Sequence, residues 1–428
     1  MLVRMRWAPI LFAVLLCGCS RGNDPAVDPA IAAEVGKIRA FDNHAHPVRV
    51  TLSGPPDREF DALPVDNMEP SSDPVNLRPN APAVLEAAKQ LYGASERKAA
   101  VQREKQDGYP AWVLDQMGVE TMLANRIAMG PGIEPPRFRW VPYADALMFP
   151  LDNSALAERN PDRKAFFALE DKLRQRYLKE AGLEARPPTL AEYLSRVVTP
   201  TLERHKQAGA VAEKFEAAYL RSLQFDTVDR AVADRVYSRF AAKGAPPAAD
   251  YKPLQDFLFR YIAAECGRLG MAVHIHTMAG AGSYFDIAGA NPLLLESVLE
   301  DPALRRTRFV MLHGGWPFTR EITALLERPN AYLDYSSQDL LLPPATLAVS
   351  IREWLEWVPE KVLFGSDAYP YSDQMGWEES GWIAARTGRQ ALAMALTAMM
   401  RAGEISRERA LELAHMVLRE NARKLYGL

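Results

Sequence analysis

From residue 38 onward, short apolar, β-branched runs alternate with longer stretches whose apolar positions recur every three or four residues. That alternation is expected of strand–helix–strand units wound into a parallel sheet. Eight strand-like runs can be placed: "KIRAFDNHAH" (37–46), "GVETMLANR" (118–126), "FRWVPYADAL" (138–147), "GAVAEKFEAAY" (209–219), "GMAVHIHT" (270–277), "RFVMLHGG" (308–315), "AYLDYSS" (331–337) and "KVLFGSDAYP" (361–370). Each ends in polar or glycine residues, where loops begin. Helical patterns fit between them. In "YKPLQDFLFRYIAAECGRLG", Leu254, Phe257, Leu258, Tyr261 and Ile262 form one apolar face, and Gly270 stops the helix. "GRQALAMALTAMMRAG" and "SRERALELAHMVLRENARKLYGL" read as two closing helices. Eight strands with interleaved helices predict an α/β protein, a (β/α)8 TIM barrel.

Two stretches exceed that plan, residues 51–110 and 154–208. The first opens rich in proline and continues into a charged helix. In the second, "RPPTLAEYL" starts a helix from a proline pair and Thr189. Both follow strand C-termini after early strands, so they are expected to be helical insertions that form lids over a pocket.

Composition narrows the class. With 48% hydrophobic and 25% charged residues the chain is globular, and a net charge of −3 argues against nucleic acid as a partner. The three cysteines provide no disulfide framework: Cys17 and Cys19 lie near the start, and Cys266 stands alone. Arg4 and Arg6 precede the apolar run "WAPILFAVLLCG", which reads as an export signal too short to span a bilayer. "LCGCS" resembles a bacterial lipobox, which implies cleavage before Cys19 and lipidation of its thiol; an ordinary cleaved secretory peptide is the alternative. The expected organisation is a signal peptide (1–18), a tether (19–37) and a barrel (38–428). The serine after Cys19 implies an exported protein anchored by lipid, on the periplasmic face of the outer membrane. The membrane would be a partner only through that anchor, and a homo-oligomer stays open.

The candidate chemistry lies at the strand ends. Only seven histidines occur, yet they include two His-x-His pairs, His44/His46 and His274/His276, where random placement gives on the order of 0.1 pair. Residues i and i+2 of a strand share a face, so each pair projects together. His313 closes the sixth run and Asp367 the eighth. An isolated aspartate there is often a helix cap, and a lone histidine is often a satisfied core residue. Taken jointly, His44, His46, His276, His313 and Asp367 at the C-terminal ends of strands one, five, six and eight point to a metal site where barrel enzymes keep their chemistry. His205 and His415 sit in helical patterns and read as structural or solvated, while Trp316 and Trp377 lie just past strand ends and either line the pocket or pack locally.

These motifs resemble the second family of the amidohydrolase superfamily, which holds metal-dependent hydrolases and decarboxylases. "DNHAHP", "VHIHTMAG", "VMLHGGWPFTREITALL", "YLDYS", "KVLFGSDA" and "ENARKLYGL" are similar to the amidohydrolase-like domains fused to glutamine synthetase in fungi and plants. The resemblance covers roughly 38–48 and 208–428 and fades through both insertions. It implies that His44, His46, His276 and Asp367 bind one divalent ion, zinc by preference, and that His313 polarises substrate or activates water. His274, where relatives carry glutamine, would line the pocket or support a ligand. In binuclear relatives a carbamylated strand-four lysine bridges two ions. Lys214 could do so, could meet a substrate carboxylate with help from Tyr219 and Arg221, or could pair internally with Glu216. The implied activity is attack by activated water on an amide, lactone or imine bond of a small molecule, with Asp367 moving the proton. The alternatives are metal-dependent decarboxylation of an unsaturated or aromatic acid, and a non-catalytic surface lipoprotein.

Overall fold

The computed structural model describes residues 27–428, apart from 65–73, 79, 243, 281 and 373. Cys17, Cys19 and the expected signal peptide lie outside the described residues. The end of the expected tether does not behave as one. Pro29–Lys37 is a helix capped by the Asp28 carboxylate, and it buries Ile31 and Val35, four residues apart, on the barrel's outer layer. Asp28 also receives Arg407 at 2.8 Å and its own N–H bonds Thr397 at 3.0 Å. The ordered body therefore starts before residue 38.

All eight expected strands form, each shorter than its apolar run: β1 Ala40–Ala45, β2 Val119–Asn125, β3 Phe138–Val141, β4 Ala212–Phe215, β5 Ala272–His276, β6 Phe309–Leu312, β7 Ala331–Asp334 and β8 Val362–Leu363. They pair in parallel as β1-β2-β3 and β4-β5-β6-β7-β8. Backbone bonds close both seams. Between β3 and β4, Lys214 N–H reaches the Pro142 carbonyl at 2.7 Å and Ala144 N–H the Lys214 carbonyl at 2.9 Å. Between β8 and β1, Asn43 N–H bonds Phe364 at 2.9 Å, Asp367 N–H bonds His44 at 2.7 Å and His46 N–H bonds Ala368 at 2.8 Å. The result is a (β/α)8 barrel of the TIM type, with strands buried on both faces.

The expected β3 and β4 runs overshoot. Asp145–Met148 is already a helical turn, and the Asp145 carboxylate accepts Glu216 N–H at 2.7 Å, turning the chain out of β4. Glu216 has φ −106° and ψ 20°, outside strand geometry, so strand alternation does not place it on the face of Lys214.

Helix Ala248–Leu269 buries Leu254, Leu258 and Ile262 fully, roughly 1.5–3 kcal/mol each, and leaves Phe257 and Tyr261 half-buried. Gly270, at φ 69°, ends it by returning its N–H to Cys266 and Gly267. The penultimate long helix, Trp377–Arg401, starts eleven residues before its apolar pattern, because Glu379 accepts Gly376 N–H and Lys98 pairs with both Glu378 and Glu379. Trp377 is thereby buried. Inside the barrel, Phe41, Leu123, Ala212, Ala272 and Val310 form one cluster, closed from below by Leu425 and by Tyr426 stacked on Phe41.

Candidate active site

A β-bulge between Asp42 and Ala45 lets β1 deliver His44 and His46 together at its C-terminal end. The β8 extension brings Asp367 alongside: Asp367 Oδ1 lies 3.1 Å from His44 Nε2 and 3.5 Å from His46 Nε2. His313, from the end of β6, places Nδ1 3.9 Å from Asp367 Oδ2. The rings of His44 and His46, His44 and His313, and His276 and His313 have centroids 5.0, 5.0 and 4.6 Å apart. His313 (φ 65°) and Asp367 (φ 49°) both hold left-handed backbone, which costs on the order of 1–3 kcal/mol per residue and concentrates at functional sites.

The donor set suits a metal. One ligand atom each from His44, His313 and Asp367 falls within 4.8 Å of the others. His46 adjoins through its 3.5 Å contact. His276 gives Nε2–H to the Met278 carbonyl at 2.8 Å, which leaves Nδ1 as its free nitrogen. Nitrogen and oxygen donors of this kind match zinc and its neighbours. Charge state agrees. Burial, followed by the Lys214 cation, holds the His44 imidazole well below its ordinary range; His276 is lowered by burial and then by His313; burial lowers His313 to about 4. Burial opposes ionisation of Asp367, but the surrounding imidazoles of His313, His44 and His46 bring its carboxyl well below the usual range. At neutral pH His44, His276 and His313 are therefore neutral beside the Asp367 carboxylate, the protonation states that ligands need.

Comparison with known proteins follows this geometry. The family model described as amidohydrolase matches residues 191–428, more than half of the chain. The chain belongs to the amidohydrolase family. Protein fluG of Emericella nidulans is 27% identical over 230 residues, which cover 51% of this chain and 26% of that protein. The chain thus spans about a quarter of the length of the curated relative it matches. Among solved structures, a protein of Lactobacillus casei assigned as a metal-dependent hydrolase superposes with TM-score 0.64 at 19% identity, covering 93% of this chain and 97% of that one. Uronate isomerase of Thermotoga maritima superposes with TM-score 0.62 at 11% identity, covering 96% and 100%. At such identities they speak to the fold alone.

The other expected site residues of this amidohydrolase separate into two groups. Lys214 reaches the site, with Nζ 3.3 Å from His44 Nε2, and no ion pair joins it to Glu216 among the described residues. Tyr219 packs against His276, with ring centroids 4.7 Å apart and planes tilted by 49°. Glu216 is buried near Asp61, Asp145 and Glu170; burial and then Asp61 raise its carboxyl well above the ordinary range. Arg221 is withdrawn, correcting its expected role with substrate: its guanidinium is occupied by Asp256 at 2.7 Å and Gln255 at 3.0 Å and lies over Phe225. His274 lies deeper in the barrel, in register with Lys214, and bonds Tyr426 at 2.6 Å. His205 is a structural partner of Glu213 at 2.9 Å, and His415 pairs with Glu34 at 3.0 Å.

Supporting groups went unrecognised in the sequence. Asn125, at the end of β2, sits 2.7 Å from His44 Nδ1. Tyr143 OH and the Phe60 carbonyl lie 3.1 and 3.3 Å from His46 Nδ1, with Asp61 at 3.8 Å. Ser336 Oγ is 2.9 Å from His313 Nδ1. Such outer partners fix ring orientation and tautomer. Asp334 and Ser336, i and i+2 at the end of "YLDYS", carried the one signal that sequence could have offered. Both insertions touch this region: Phe60 and Asp61 come from the first, and Phe166 of the second packs on Tyr219 at 6.0 Å.

Proposed function

We propose that this amidohydrolase is a metal-dependent hydrolase that attacks an amide, lactone or imine bond of a small, carboxylate-bearing molecule. The observation that carries the reading is Asp367, ionised and with 15% of its side chain open, among imidazoles that burial keeps neutral. His44, His46, His276 and Asp367 would hold the ion, zinc by preference, with His313 close enough to join them. A divalent ion there lowers the pKa of a water molecule from 15.7 to about 7 and polarises the carbonyl under attack.

This chain's residues supply the rest. The Asp367 carboxylate accepts the proton of the attacking water and returns it to the leaving atom. His313, with Nδ1 turned to Ser336, keeps Nε2 for the substrate oxygen. Lys214, the one cation at the site among the described residues, meets the substrate carboxylate. The two insertions cover the strand ends and exclude bulk water. An exported, Cys19-anchored protein would act on such molecules in the cell envelope.

Metal analysis of the purified chain, followed by chelation and a screen of amides, lactones and imines, tests the reading. We expect about one zinc per chain, and hydrolysis that chelation abolishes and zinc restores. Two ions per chain would make Lys214 a bridge. Release of CO2 from unsaturated or aromatic acids without hydrolysis would replace the reaction by decarboxylation. A chain that retains no transition metal would refute the proposal.

A further inference from the structure

A second polar feature runs through the barrel below the site. Tyr426, in helix Asn421–Tyr426, donates its hydroxyl to Asn43 Oδ1 at 2.5 Å. Asn43 Nδ2 donates to Asp334 Oδ2 at 2.7 Å. Asp334 Oδ1 accepts the Ser336 hydroxyl at 2.6 Å, and Ser336 Oγ lies 2.9 Å from His313 Nδ1. At the far end, His274 Nε2 is 2.6 Å from the Tyr426 oxygen. Asn43, His274, Asp334 and Ser336 are fully buried, so no bulk water substitutes for a missing partner.

The donors can be assigned from end to end. A carboxylate only accepts, so the Ser336 proton points to Asp334, and the Ser336 hydroxyl oxygen takes Nδ1–H from His313, shared with the Ser336 carbonyl at 3.3 Å. The Asn43 amide gives Nδ2–H to Asp334, which leaves Oδ1 for the Tyr426 hydroxyl. With that proton committed, the Tyr426 oxygen can only accept, so His274 is the Nε2–H tautomer. This assigns a task to the histidine that the reaction leaves unused. Asp334 Oδ1 also takes His313 N–H at 2.9 Å, so the same carboxylate holds the strained backbone of His313. Without the Tyr426 hydroxyl, the buried Asn43 Oδ1 loses its donor, and the amide keeps only its Nδ2–H bond to Asp334. Gly365 leaves room for this arrangement, because a Cβ there would meet Asp334 Oδ2 at 2.8 Å.

We propose that Tyr426 is a positioning residue for His313: through Asn43, Asp334 and Ser336 it holds the His313 ring in its Nδ1–H form, with Nε2 free toward the substrate. Its catalytic consequence rests on the reading of His313 given above. The test uses the full chain labelled with 15N-histidine, metal-free and then with Zn2+. Seven histidines give seven ring pairs, and His313→Gln assigns one of them. In Tyr426→Phe the two ring nitrogens of His313 should move toward each other, as one tautomer becomes a mixture, and Zn2+ affinity should fall by about tenfold or less, below the 10–100-fold of direct partners. Ser336→Ala should shift the same pair further. A merely structural Tyr426 would lower the thermal midpoint without moving that pair, and wild-type His313 frequencies in Tyr426→Phe overturn the proposal. If that variant does not fold, Asn43→Ala breaks the next link, and unchanged frequencies there overturn it equally. The metal-free spectra decide the relay by themselves, so failure of Zn2+ to bind would count against the proposed function alone.

Discussion

The first insertion is tied down beneath His46 by Asp57 and Arg126, whose side chains are both 0% exposed and 2.9 Å apart. Arg126 further donates to the Pro47 and Ala128 carbonyls, while Asp57 accepts Arg49 N–H at 2.9 Å and Glu59 N–H at 3.1 Å. Asp57→Ala strands a guanidinium away from water with only carbonyls for company. Loss of one partner of a buried pair costs about 3–5 kcal/mol, because the remaining charge is uncompensated. Urea unfolding of the full chain should show that loss as a lower midpoint at unchanged slope. Replacing both partners, Asp57→Leu with Arg126→Met, removes the lone charge and should restore stability to within about 1–2 kcal/mol of wild type. The pH dependence has a definite sign. Burial works against the Asp57 carboxylate, but the Arg126 guanidinium brings its pKa below the ordinary range. Its contribution is therefore complete above the ordinary carboxyl range and is lost as pH falls through the lowered value, so wild type and Asp57→Ala should converge in acid. Because the same segment sets the Phe60 carbonyl and Asp61 against His46, zinc affinity of Asp57→Ala should drop about 10–100-fold. A single variant that loses under about 1 kcal/mol, or a double variant as unstable as the single, would refute the reasoning.

Three further outcomes are expected. His313, held to about 4 in the fold against about 6.5 unfolded, makes the unfolded chain the better proton binder between those values, so stability is lost as pH is lowered through that range, by up to about 3 kcal/mol, and His313→Gln should show a shallower acid slope in urea titrations. Gly365→Ala drives a methyl against Asp334 Oδ2 and should cost about 1–3 kcal/mol in denaturant unfolding while perturbing the His313 ring signals, whereas a neutral result would show that Asp334 can give way. Cells fed labelled palmitate should label the wild-type chain and leave Cys19→Ala unlabelled; label retained in the variant would remove the anchor.

The barrel was legible because burial on both faces imposes apolar runs that need no partner to be recognised, and β1 to β8 all fall inside such runs. Their ends were not legible. β3 and β4 stop where Asp145 caps Glu216, a contact between residues 71 apart in sequence that no local pattern reports. Helix Pro29–Lys37 reads as tether because its two buried positions are too few to stand out from an alanine-rich stretch. The histidines and Asp367 were legible because chemistry narrows the residue types and the strand ends narrow their places. Asn125, Tyr143 and Ser336 were not, since amides and hydroxyls are common and gain meaning only from the ring nitrogen they face.

The amino-acid sequence by itself determined the alternation of strands and helices and the set of groups able to bind a cation, since both depend on residue type and local spacing. Only the tertiary structure decided which ring nitrogen of His276 and of His313 the protein occupies, that Arg221 is held by Asp256 while Lys214 stands beside His44, and that Tyr426 and His274 belong to one chain of hydrogen bonds. Those outcomes depend on distances of a few ångströms between residues tens to hundreds of positions apart, and closure of the barrel is what sets them.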